Sequence, residues 1–250
     1  MYRDLSGECQ KELAAILARI SHHIHPYVVK LIEEENTRFQ ETFELIKHQN
    51  CCSEAFLYNR SDCVFPGFRR PVNREKGPKW KNNIYDDGTI LNDNTFPRHI
   101  WAYMTENRAY SGGAAGMWTR SGLSKFELAH IFAHKTEERS FERKMFGFVD
   151  DIVDPYGLFT SASNVVLIPK GFAKPTDHMD NIKACFYKRH LELYGNNLVG
   201  LGDFKEDLLP EWYDEIQWAD PILPGDWKSR TRSLLEYRTR YLSNKYAKES

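Results

Sequence analysis

Two short apolar segments, each with one polar side chain at an end, constrain most strongly how this 250-residue chain can fold. The first is FELAHI (126–131), in which His130 stands near the end. The second is NVVLIP (164–169), which opens with Asn164 and continues with β-branched residues. Runs of this kind predict strands. We expect the two strands to pair as an irregular hairpin, separated by a charged insertion (136–155).

A helix is predicted directly after Pro175, which lies six residues beyond the second segment. Thr176 is a natural N-cap for this helix because its hydroxyl can accept a hydrogen bond from a backbone N–H of the first turn. The apolar residues that share the buried side are Ile182, Phe186 and Leu193. Asp177 and His178 fall in the predicted first turn, so we expect them to reach a cation bound beside the hairpin.

The order of polar side chains from residue 124 to residue 195 suits the hydrolysis of a phosphodiester bond. A neutral imidazole deprotonates an attacking water well because its pKa, about 6.5, lies near working pH. A divalent cation neutralises the charge that develops on the phosphoryl and leaving oxygens. Because Mg²⁺ takes oxygen ligands and keeps several waters, one amide oxygen and the substrate oxygens can suffice to hold it.

This strand–strand–helix order resembles the HNH nucleases, the ββα-metal finger family. The resemblance rests on AHIFAHK (129–135), on SNVVLIPKGFAKPTD (163–177) and on a helix that ends in LYG (193–195). It covers less than a third of the chain. It implies an α+β fold in which a ββα-metal (HNH) finger is embedded in a mostly helical protein.

The resemblance also implies roles for individual residues. His130 would be the general base, and Asn164 would either shape the loop or bind the metal. The family usually has an acid or a histidine just before the base, whereas this chain has Ala129. The metal site is therefore either reduced, with Asn164 as its chief ligand, or completed by another residue such as His134. The implied ligands of Mg²⁺ or Mn²⁺ are Asn164, His134 and a helix residue, either Asp177 or His178. His190 is the alternative to His178 as the family's final histidine, and His178 is preferred because it starts the helix nearest the site.

A helical alternative exists for the first segment. If residues 126–135 form a helix, His130 and His134 lie on one face and can bind a metal together. The sequence does not complete a His-Glu-x-x-His protease motif, because Ile131 stands where the glutamate is required.

Flanking regions divide the chain into four parts. The first 50 residues show helical apolar spacing with a break at Pro26, and residues from Trp227 onward predict a basic helix with a partial apolar face. We expect the N-terminal helices to serve packing or self-association. The parts are a helical region (1–50), an irregular basic and aromatic region (51–123), the HNH-like core (124–195), and an acidic segment with a basic C-terminal helix (196–250).

The net charge of −1 means that a nucleic-acid surface requires a local concentration of basic residues. Residues 69–81 form one such concentration with interleaved aromatic side chains, although an ordinary solvated loop is an equal alternative. We expect the C-terminal helix to dock through its apolar residues and to make some phosphate contacts. The basic residues expected to contact DNA are Arg69, Arg70, Arg74, Lys174, Arg230 and Arg232.

Five cysteines without Cys-x-x-Cys spacing argue against a four-cysteine zinc site. Their odd number and the lack of a leader peptide favour a reducing cytoplasm, and no run approaches the roughly 20 apolar residues of a membrane span. Together with the resemblance, these features predict a cytoplasmic, Mg²⁺- or Mn²⁺-dependent DNA endonuclease of a restriction or antiviral defence system, acting as a homodimer or with a protein partner. The competing hypothesis is a non-catalytic or partner-activated subunit of a defence complex, in which Ala129 marks a degenerate HNH fold.

Overall fold

The part of the chain that the structure describes is α+β, with helices around two small sheets. The computed structural model describes residues 6–46, 61–70, 89–105, 123–133, 139–147, 156–196 and 201–247. Arg74, His134 and most of the basic stretch 69–81 lie outside these ranges, so the predictions that involve them are untested. No helix within the described ranges is both long enough and apolar enough to cross a membrane.

Two helices form where the N-terminal apolar spacing predicts them: α1 spans Gly7–Ile20 and α2 spans Pro26–Ile46. Ser6 caps α1, its hydroxyl accepting a hydrogen bond from Cys9 N at 3.4 Å. Pro26 begins α2, where a missing N–H costs nothing because the first-turn donors have no helical partner. The predicted break at Pro26 is thus confirmed as the boundary between the two helices.

A short parallel strand pair and a core helix come next. Strand β1 (Phe68–Arg69) pairs with β2 (Ile90–Leu91), and α3 (Thr95–Thr105) follows. Every residue from 96 to 104 except Arg98 is buried. Helix α3 therefore passes through the interior and does not lie on the surface.

The predicted hairpin is confirmed. Strand β3 (Phe126–His130) pairs antiparallel with β4 (Val165–Pro169), and His130 lies opposite Val165. The helical alternative for this segment is wrong over the five residues of β3. Within the intervening chain, residues Ser140–Phe146 form the short helix α4.

Three helices complete the described fold: α5 (Lys174–His178), α6 (Asp180–Tyr194) and α7 (Trp227–Ala247). The single helix predicted after Pro175 forms as two helices, α5 and α6, because the backbone of Met179 between them is extended. Ile182 and Phe186 are buried as expected, although Leu193 is only part-buried. The predicted N-cap is wrong. Ala173 is the cap residue, because Pro175 fits the first turn of α5. Thr176 lies inside α5 and donates its hydroxyl to Ala173 O at 2.6 Å.

The hairpin lies between two apolar clusters because side chains alternate between the faces of a strand pair. On one face, Val165 and Leu167 join the main core, to which α2, α3 and α7 also contribute. On the other face, Val166 and Ile168 pack against residues of α1 and α6. Ala129 belongs to this second cluster, so the position before His130 is apolar in its surroundings as well as in its side chain.

Helix α7 docks against α2 and α3 through the apolar residues that the sequence indicated. Leu234, Leu235 and Leu242 are all buried. One basic residue of the same helix, Arg238, is also buried, with 2% of its surface exposed. The sequence predicts a basic helix with some phosphate contacts, and the burial of Arg238 differs from that prediction.

Candidate active site

His130 ends β3, and the turn that precedes β4 holds its ring. Nε2 lies 3.1 Å from the carbonyl oxygen of Phe159, and the two rings stack with their centroids 5.7 Å apart. A carbonyl oxygen only accepts hydrogen bonds, so Nε2 carries the proton of the neutral ring. The lone pair is therefore on Nδ1, which is the basic atom of His130.

Burial lowers the pKa of His130 from its usual 6.5 to about 4. The positive charge of Arg70 lowers this pKa further, whereas the hydrogen bond to Phe159 and the negative charge of Asp177 raise it. The imidazole is consequently neutral at pH 7. A cation from the end of β1 and a carboxylate from α5 thus both act electrostatically on the same part-buried ring.

The pKa of His130 is expected to shift in one direction when Arg70 is replaced and in the opposite direction when Asp177 is replaced. Arg70→Gln removes a cation that disfavours the imidazolium, so the pKa of His130 rises, and Asp177→Asn lowers it. We expect shifts of less than about one pH unit because solvent screens both charges. NMR titration of the histidine ring resonances measures them. The pKa of His25, which burial alone lowers, is the internal control. Unchanged midpoints for His130 in both variants would show that neither charge acts on it.

Asn164 is fully buried and hydrogen-bonds both to the segment after β3 and to the turn before β4. Its Oδ1 accepts a hydrogen bond from Phe132 N at 2.7 Å. Its Nδ2 donates to Phe132 O at 3.1 Å and to Leu158 O at 2.8 Å. Of the two roles that the resemblance offers, this geometry supports loop shaping. As a metal ligand the amide fits poorly, because its oxygen points at a backbone N–H in a site closed to solvent.

Asp62 secures the turn that carries Phe159 and Asn164. Its carboxylate accepts hydrogen bonds from Ser161 Oγ at 2.7 Å and from Ser163 N at 2.5 Å, and only 1% of its surface is exposed. This role could not be predicted from the sequence, because these partners lie 99 and 101 residues away along the chain. No local pattern around Asp62 signals such a contact.

Glu142 of α4 hydrogen-bonds to the segment that follows His130. One carboxylate oxygen accepts from Ala133 N, and the other accepts from Arg139 Nε at 2.8 Å. Both charged side chains are almost completely buried, and burial raises the pKa of Glu142 while Arg139 opposes the rise. The sequence reasoning missed this pair too, since residues 136–155 read only as a charged insertion.

Asp177 is the predicted metal ligand that fits a hard cation best. Its carboxylate is exposed on α5, and its charge reaches His130. His178 is exposed beside it. Within the described ranges no group of three or more His, Cys, Asp or Glu side chains is arranged to hold a metal ion. A cation at Asp177 would therefore depend on water and substrate oxygens for much of its coordination.

The predicted DNA contacts near the hairpin differ in how they are used. Arg70 is exposed and acts on the candidate base. Arg69 is part-buried, and its Nε donates to Thr89 Oγ1 at 3.2 Å. Lys174 begins α5, but its side chain, like the whole of Arg74, lies outside what the structure describes.

The predicted contacts on α7 lie in different surroundings. Arg230 donates to Asp226 at 2.5 Å and approaches the carbonyl oxygens of Tyr103 and Met104 at 3.4 and 3.5 Å. These contacts use its guanidinium to hold α7 against the end of α3. Arg232 is exposed and lines a pocket between α2 and α7.

No family model, curated protein or solved structure matches this chain.

Proposed function

We propose that this protein is a metal-dependent endonuclease of the HNH type, which hydrolyses DNA phosphodiester bonds with His130 as the general base. One observation carries the proposal: a neutral, oriented imidazole at the end of a hairpin, with Arg70 and Asp177 acting on it. The helix that follows the hairpin completes the ββα order of the family. The hydrogen bond to Phe159 O assigns the proton to Nε2, so Nδ1 is the basic atom that would accept a proton from the attacking water.

In this mechanism, Nδ1 of His130 would accept a proton from water as the water oxygen attacks phosphorus. The bond from phosphorus to the leaving sugar oxygen breaks, and that oxygen takes a proton from solvent. The Nε2–H bond to Phe159 O stays in place in both protonation states, so the ring need not turn when it becomes an imidazolium. The carbonyl oxygen also stabilises the new positive charge. Phe159 and the turn that Asp62 secures therefore act as positioning elements for the base.

Arg70, which is exposed and acts on His130, would bind the phosphate of the substrate. A bound phosphodiester would offset the cation that lowers the pKa of His130, so the base becomes stronger when substrate arrives. Asp177 would hold Mg²⁺ or Mn²⁺ together with substrate oxygens and waters. The cation, when bound, supplies charge neutralisation at the phosphate and the leaving oxygen.

Metal dependence tests the proposal directly. The purified protein is expected to convert supercoiled plasmid to nicked and linear forms in Mg²⁺ or Mn²⁺, and EDTA is expected to stop the reaction. Asp177→Asn should slow cleavage most at low metal concentration and recover partly as the metal is raised. The control is Asp180→Asn, an exposed carboxylate three residues later, which should leave the metal dependence unchanged.

The competing function is a non-catalytic or partner-activated subunit. The apolar packing of Ala129 favours it, because the residue before the base contributes no ligand. A protein that binds DNA but never cuts it in Mg²⁺, Mn²⁺, Co²⁺ or Ni²⁺ would support this alternative. The roles in restriction or antiviral defence, and the homodimer or protein partner, remain predictions of the family resemblance.

A further inference from the structure

A pocket of about 370 Å³ opens between α2 and α7. Small-molecule sites in proteins commonly have volumes of about 300–1,000 Å³, so this pocket is large enough for a ligand. The charged side chains that line it are Arg38, Arg232, Arg238, Glu35 and Glu236. We call it the α2–α7 pocket.

Arg238 is the distinctive residue of the α2–α7 pocket, because it is a buried cation. Its guanidinium carbon lies 3.9 Å from the centre of the Phe39 ring, and Nη1 donates to Oδ1 of Asn36. Its Nε has no hydrogen-bond partner. Among the residues that the structure describes, no carboxylate forms an ion pair with Arg238.

The nearby acids leave positive charge in the pocket. Glu35 acts on Arg238 at longer range, but its carboxylate is bonded to Arg38 at 3.2 Å. Among the described residues that line the pocket, Glu236 then remains as the one acid to offset both Arg232 and Arg238. A buried guanidinium without a bonded counter-charge is costly, since desolvation is not repaid by an ion pair.

We propose that the α2–α7 pocket binds a phosphorylated small molecule of nucleotide size, whose phosphate group contacts Arg238 and Arg232. A guanidinium presents two parallel N–H groups that match two oxygens of a phosphate. A phosphate monoester carries roughly −1.5 to −2 charges at pH 7, so it can compensate both arginines, as a single carboxylate cannot. The volume suits a small molecule and is too small for duplex DNA. The site is independent of the proposed cleavage, because binding here requires neither metal nor DNA.

Isothermal titration calorimetry of the full chain tests this site with adenosine monophosphate, inorganic phosphate and adenosine as probes. Adenosine monophosphate is expected to bind saturably at one site, inorganic phosphate more weakly, and adenosine not at all. Arg232→Gln should weaken binding about tenfold, as expected for the loss of one charged hydrogen bond. The matched control is Arg240→Gln, which removes an exposed arginine of the same helix that does not line the pocket.

Arg238→Lys provides a second test, since it keeps the charge but removes the two-pronged geometry. We expect it to weaken binding of adenosine monophosphate as well, with thermal unfolding used to verify that the variant folds. Absence of saturable binding to the wild type would overturn the proposal, as would equal weakening by Arg232→Gln and Arg240→Gln. If a short single-stranded DNA displaces adenosine monophosphate and loses affinity in Arg232→Gln, the occupant is a DNA phosphate and the small-molecule assignment is wrong.

Discussion

His130→Ala is expected to slow DNA cleavage by about 10²–10⁴-fold, the range over which a positioned general base accelerates a reaction. The variant lacks the Nδ1 lone pair that would deprotonate the attacking water. It should still fold, because His130 is part-buried at the end of β3 and the apolar pairs of the hairpin remain. Plasmid nicking rates at saturating Mg²⁺, with far-ultraviolet circular dichroism to verify folding, measure the effect.

Two further variants sharpen this result. His130→Gln keeps a polar side chain of similar reach without a basic nitrogen, so it should be as inactive as His130→Ala. His25→Ala removes a histidine outside the site, whose Nδ1 accepts from Tyr27 N at 3.1 Å, and should leave the rate unchanged. Normal cutting by both His130 variants would place the base elsewhere in the chain.

Asn164→Ala is expected to lower the free energy of unfolding by about 3 kcal/mol or more, because three buried groups lose their partner. The substitution leaves Phe132 N, Phe132 O and Leu158 O without their partner in a buried loop, and each orphaned group costs about 1–3 kcal/mol. Urea unfolding followed by circular dichroism gives the change. The rate of cleavage should also fall under conditions where the variant is folded. The same hydrogen bonds position the segment after His130 and the turn that contains Phe159.

Asn181→Ala is the matched control for this loss. Asn181 is exposed on α6 and makes one hydrogen bond, from Nδ2 to Gln10 Oε1 at 2.8 Å. Its replacement should change the free energy of unfolding by less than about 0.5 kcal/mol. If the two asparagine variants were equally stable, Asn164 would not be the residue that ties the loop.

Local patterns were sufficient to predict the hairpin and the helix after it. FELAHI and NVVLIP carry their strand signal within six residues each, and Ile182 and Phe186 show the spacing of one helix face. The placement of His130 and Asn164 at the ends of these strands follows from the same patterns. The start of the helix was harder to predict than its existence. Thr176 is the better N-cap by residue type, but Pro175 favours the first turn, so the cap is Ala173.

Contacts between distant parts of the chain could not be predicted from the sequence. Asp62 lies in a region that reads as irregular, yet its carboxylate builds the turn under the candidate base. Arginine is usually found at the surface, and Arg238 is buried because α7 packs it against Asn36 and Phe39 of α2. Such roles arise from tertiary packing, and neither periodicity nor motif spacing encodes them.

The bond between Arg238 and Asn36 has a consequence for the order in which the protein matures during synthesis. Asn36 also donates to the carbonyl oxygens of Ser61 and Cys63, at 2.7 and 2.8 Å, which flank the residue that builds the turn under His130. Ribosomes add about 5–20 residues per second, so Arg238 reaches Asn36 seconds after His130 itself has been made. The support beneath the candidate base is thus completed late, and a nascent chain that lacks α7 contains His130 before it contains every residue that supports it.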